Sequence, residues 1–120
     1  TNIGAAPYAV TKHAALALAE WVSMTYGKQG IGVSALCPQF VETPMLELFG
    51  ESASQEWVRS IAITTDDVAD AVINGLAAER FLILPHPEVE TFFQNKANDY
   101  DRWLGGMRKL NEQLNNPQFD

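Results

Sequence analysis

Two short apolar segments constrain this chain more than any other feature. "IGVSALCP", residues 31–38, runs from just after Gly30 to Pro38, and "FLILP", residues 81–85, closes on Pro85. Their length and their flanking glycine and prolines predict buried strands rather than helices. Helical patterns fill the sequence between them. Two buried strands separated by helices pair in parallel through a right-handed crossover, which is α/β architecture. Parallel sheets have both faces covered and usually contain more than two strands, so this pair is expected to form the edge of a larger sheet.

The helices around the strands are read from capping and periodicity. Pro7 suits a first helical turn, strong helix formers continue to Tyr26, and Gly27 and Gly30 supply the stop. Val10, Ala14, Ala17, Leu18 and Trp21 share one stripe, with Ala15, Val22 and Tyr26 on another, so this helix needs cover on more than one side. A loop at 39–43 leads to a short helix from Pro44, and residues 52–62 are expected to form another. "TTDDVADAVINGLAA" offers Thr64 or Thr65 as N-cap, Asp66 and Asp67 in the first turn, and apolar Val68, Ala71, Val72 and Leu76 at helical spacing. From Pro87 a single long helix is expected, carrying Val89, Phe93, Ala97, Tyr100, Leu104, Met107 and Leu114 along one seam and ending before Pro117.

A chain of 120 residues fits one domain, and its 47% hydrophobic and 19% charged content is that of a folded protein. The net charge of −7 leaves no surplus of cations for a phosphate backbone or an anionic membrane, which argues against nucleic-acid and membrane partners. No apolar stretch is long enough to span a bilayer. Cys37 is the single cysteine and cannot form an internal disulfide, so a buried free thiol and a reducing, cytoplasmic setting are expected. His13 adjoins Lys12, while His86 stands apart between Pro85 and Pro87, and no set of residues has the spacing of a metal site.

The chemistry concentrates in "PYAVTKHAALALAEW", residues 7–21. Tyr8 and Lys12 are four residues apart on the first helix and therefore neighbours on its surface. An ammonium near a phenol favours the phenolate, since unit charges about 4 Å apart interact by roughly 4 kcal/mol at an effective dielectric near 20. Such a pair can exchange a proton with an alcohol or carbonyl oxygen. The spacing alone fits equally well two amphipathic side chains on a buried helix. Likewise "VETPM" reads either as a ligand loop or as a plain strand-to-helix connection in which Thr43 caps the helix begun by Pro44.

Taken in order, the Y-x-x-x-K helix, the strand "IGVSALCP" and the loop "QFVETPM" resemble the short-chain dehydrogenase/reductase family. The resemblance extends through "TTDDVADAVINGL" and "FLILP" to about residue 87. It implies the C-terminal part of a Rossmann-like doubly wound parallel sheet, with residues 1–120 as a partial NAD(P)-binding domain. It implies an NAD(P)-dependent oxidoreductase that interconverts an alcohol and a carbonyl by hydride transfer. Tyr8 would be the acid/base, and Lys12 its partner and a ligand of the nicotinamide ribose. Pro38, Val41 and Thr43 would lie along the cofactor, which is NAD or NADP. Gln39 departs from the family's usual glycine and puts the backbone approach of this turn in question.

The same resemblance carries three further expectations. A homo-oligomer, dimer or tetramer, would form through the first helix. Met45, Leu46, Leu48 and Phe49 would belong to a substrate lid, favouring a bulky or apolar substrate. The glycine-rich dinucleotide turn and the catalytic serine would precede Thr1, so the 120 residues alone are expected to be inactive. Two other classes share some of these features: the sugar-nucleotide epimerases and dehydratases of the extended branch, whose substrate domain is longer, and a noncatalytic oligomerisation module. Trp57, Phe92, Phe93 and Trp103 are assigned to packing.

Overall fold

The computed structural model describes residues 3–49 and 58–114. Helix α1 covers Ala6–Tyr26 and begins with Pro7 in its first turn, where a missing N–H costs nothing. A 3-10 turn, Gly27–Gln29, tightens its end. Gly30 then takes φ 83°, a left-handed conformation that glycine adopts without the steric cost of a Cβ. The chain continues into strand β1, Ala35–Leu36, and after a loop into a 3-10 helix at Pro44–Phe49. Residues 58–61 are helical and residue 62 is not; residues 52–57 of the helix expected at 52–62, Trp57 included, lie outside the described residues.

Helix α2, Thr65–Ala77, is capped by Thr64. The Thr64 hydroxyl accepts from the Asp67 N–H at 3.1 Å, and the Thr64 N–H donates to Asp67 Oδ2 at 3.0 Å. This reciprocal box satisfies two donors that a helix start otherwise leaves unpaired. Strand β2, Leu82–Ile83, follows and pairs with β1 in parallel, Ala35 with Leu82 and Leu36 with Ile83. The architecture is α/β, in agreement with the pattern of two apolar runs joined through a helix.

The ladder is shorter than the apolar runs, for a covalent reason. Ala35 N–H donates to Phe81 O at 2.6 Å and Cys37 N–H to Ile83 O at 3.0 Å. The next donors in register are Gln39 after the first strand and residue 85 after the second, and residue 85 is proline, with no N–H to give. The strands part at that level.

The expected single C-terminal helix is two. Helix α3 runs Glu88–Asn98 and helix α4 Tyr100–Leu114, and Asp99 between them has extended backbone, φ −150° and ψ 88°. Asp99 Oδ1 accepts from the Arg102 N–H at 2.9 Å, so this side chain caps α4 and competes successfully with continued helix. The core is small: Ile83 and Val58 are the buried apolar side chains among the described residues. On α1 the half-covered positions are Ala9, Leu16, Ala19, Val22 and Ser23, whereas Val10, Ala14, Ala17, Leu18 and Trp21 face outward. Val10 is 68% and Trp21 51% exposed, so the first of the two apolar stripes is open in this chain.

Candidate active site

Tyr8 and Lys12 lie one turn apart at the head of α1, and both are exposed. The Lys12 ammonium stands over the Tyr8 ring, 5.4 Å from its centroid, within the range of a cation–π contact. The first turn is fastened locally by Thr11, whose hydroxyl donates to Tyr8 O at 3.0 Å. His13, next to Lys12, turns its ring back to the helix, with Nδ1 donating to Ala9 O at 2.8 Å. Tyr8 is 49% exposed in this chain.

The loop after β1 is shaped by a second parallel contact. Val41 bridges to Ile63, with Ile63 N–H donating to Phe40 O at 3.1 Å and Glu42 N–H to Ile63 O at 2.9 Å. In this pattern the residues flanking Val41 face Ile63, and Val41's own N–H and C=O point to the opposite side. Among the described residues neither group has a partner. Thr43 is exposed, its carbonyl accepts from Leu46 N–H at 2.9 Å, and no described residue bonds its hydroxyl. A side-chain cap by Thr43 is therefore not seen among the described residues.

Gln39 has no left-handed backbone, since Glu79 is the one non-glycine residue with positive φ among those described. The turn at this position does not call for glycine's conformational range. The Gln39 N–H donates to Nδ1 of His86 at 3.2 Å. Sequence reasoning passed over His86 because its partner lies far along the chain; its position directly after the second apolar run was the available signal. Cys37 is half-buried and unpaired, and burial pushes its thiol above the ordinary value, which makes it a poor nucleophile. No group of three histidine, cysteine or acidic side chains suited to a metal occurs among the described residues. No described helix is long and apolar enough to cross a membrane.

The chain is similar in sequence to several dehydrogenases and reductases. The chain is 37% identical over 101 residues to a 1-deoxy-11-beta-hydroxypentalenate dehydrogenase of Streptomyces avermitilis, an alignment covering 84% of this chain and 37% of the relative. A dehydrogenase of the same name from Streptomyces exfoliatus is 31% identical over 96 residues, 80% of this chain and 34% of the relative. The short-chain dehydrogenase fogB of Aspergillus ruber is 31% identical over 77 residues, 58% of this chain and 28% of the relative. The chain belongs to the short-chain dehydrogenase/reductase family. It spans about a third of the length of these relatives. No family model and no solved structure matches it.

Within a short-chain dehydrogenase/reductase, the arrangement sorts into two parts. Tyr8 and Lys12 offer a phenol beside a cation. Val41 and Thr43 offer a donor and an acceptor on the main chain and a hydroxyl, on a loop that starts at Pro38, where the strands part.

Proposed function

We propose that this chain contributes the acid/base and part of the cofactor contacts of an NAD(P)-dependent oxidoreductase that interconverts an alcohol and a carbonyl. The observation that carries the reading is the exposed Tyr8 with the Lys12 ammonium over its ring. The Val41 N–H and C=O, without a partner among the described residues, support it, because they fit the carboxamide of a nicotinamide, which has both a carbonyl and an amide N–H. When bound, NAD or NADP accepts or supplies the hydride.

The chain's own groups do the rest. Tyr8 Oη takes a proton from the alcohol in oxidation and returns one to the carbonyl oxygen in reduction. Lys12 keeps its ammonium beside the phenol and has N–H donors to offer the ribose hydroxyls. Val41 holds the carboxamide with its main chain. The Thr43 hydroxyl is free to reach the same cofactor, and Pro38 sets the start of the loop. The substrate is a small-molecule alcohol or carbonyl compound, and a reducing, cytoplasmic setting goes with the single thiol.

Replacing Tyr8 by Phe in the intact protein removes the proton-handling group and keeps the ring under Lys12. Turnover should fall by about 10²-fold or more, the usual worth of general acid–base catalysis, with no change in melting temperature. A Tyr8→Phe protein with near-wild-type turnover would overturn the assignment. The outward stripe of α1, with Val10, Leu18 and Trp21, supports self-association as well. Light scattering of the intact protein should give a mass of at least two chains, and a monodisperse monomer would contradict it.

A further inference from the structure

One deeply buried polar side chain has no part in the reading above. His86 is 2% exposed and sits two residues beyond Leu84, where β2 has already ended. Its Nδ1 meets the main chain of the loop that starts at Pro38.

The register shows what this contact replaces. Alternate N–H groups of the first strand donate across to the second: Ala35 to Phe81 O, then Cys37 to Ile83 O. Two residues on, Gln39 is the next donor, and the carbonyl in step with it is that of Pro85. The Gln39 N–H goes to the His86 ring at 3.2 Å instead. An imidazole nitrogen thus provides a third rung after the strands have ended. Because the donor is main chain, the side chain at 39 is not what the contact selects.

We propose that His86 is a positioning residue: its Nδ1 takes the place of a strand carbonyl, anchors Gln39, and so sets the path of the loop that presents Val41 and Thr43. The proposal rests on the reading that this loop faces the dinucleotide. Accepting at Nδ1 requires a lone pair there, so the ring must be neutral with its proton on Nε2. Nε2 is buried and without a partner among the described residues. An apolar residue at 86 would leave the Gln39 N–H half-buried and without its acceptor, and an unpaired buried amide costs more than the bond itself was worth. The loop would then move to reach water.

The test compares His86→Leu with His86→Asn in the intact protein. Asparagine places Oδ1 about where Nδ1 stands and keeps the acceptor; leucine keeps bulk and removes it. Hydrogen exchange of the Gln39 amide should accelerate by about tenfold or more in His86→Leu and stay near wild type in His86→Asn. KM for the dinucleotide should rise by about tenfold in His86→Leu with kcat within about twofold, and return most of the way in His86→Asn. Unchanged Gln39 exchange in His86→Leu, or an Asn variant as impaired as the Leu variant, would overturn the proposal. The exchange measurement needs no activity, so it decides the His86 contact even if the wild-type protein turns out not to use a dinucleotide.

Discussion

At the scale of single residues, two backbone positions make sharp demands. A Cβ on Gly75 would stand 2.6 Å from Ile83 Cγ1 and 2.7 Å from Ile83 Cδ1, inside any real contact distance. Ile83 is buried and branched at Cβ, so it cannot swing aside without disturbing β2. Gly75→Ala should therefore destabilise by about 1–3 kcal/mol despite alanine's better helix propensity, visible as a lower urea midpoint. Adding Ile83→Val should recover part of the loss, because the two sites share one contact. Glu79 is the converse case: at φ 52° it closes α2 with its N–H on Leu76 O, in a conformation that disfavours a Cβ. Glu79→Gly should raise stability by roughly 0.5–1 kcal/mol in the same assay. Tyr8 and Lys12 were legible because a helix turns i and i+4 into neighbours whatever surrounds them. The His86 contact with Gln39 was not, because it depends on a register between segments 47 residues apart.

Elements were legible where local chemistry sets their ends. Pro7, Gly27 and Gly30 marked α1 to within a residue, and Thr64 with Asp67 marked the start of α2. That cap has a pH signature. The bond from the Thr64 hydroxyl, and after it that from the Thr64 N–H, holds the Asp67 carboxyl below the usual carboxylate range. A carboxylate held low in the folded state stabilises above its unfolded value, and the effect is lost as pH falls through the folded one. Thr64→Ala should cost about 1 kcal/mol at neutral pH and flatten stability against pH below about 4. An unaltered acid limb in urea titrations would count against the cap's contribution. The break at Asp99 was hidden from periodicity because the apolar seam runs through it, from Ala97 to Tyr100 and Leu104. Lys96 bridges that break, its ammonium 5.2 Å from the Tyr100 centroid and 4.5 Å from that of Trp103. The strands came out as two residues each because apolar run length predicts burial, while prolines and partners decide pairing.

At the scale of the molecule, the α/β class and the parallel pairing followed from the order of the patterns, and the direction of α1's covered face did not. Which stripe is buried depends on where neighbouring elements stand, which the helix's own sequence does not encode. The radius of gyration is 16.5 Å, against about 14 Å for a compact chain of this length, and extents of 55 × 34 × 24 Å describe an elongated body. Such openness fits the outward apolar stripe of α1 and the oligomer proposed for it. The pairing of β1 with β2 also has a kinetic consequence. Ala35 and Leu82, 47 positions apart, meet only after the chain between them is gathered, an entropic toll on the order of 3 kcal/mol before any constant term. Helix α1 needs only contacts four residues apart and can form within microseconds. Refolding should thus show early helix signal from α1, with the sheet and the Gly75 contact appearing in the slow phase, so that the last part of this chain to become native is the seam between its two shortest elements.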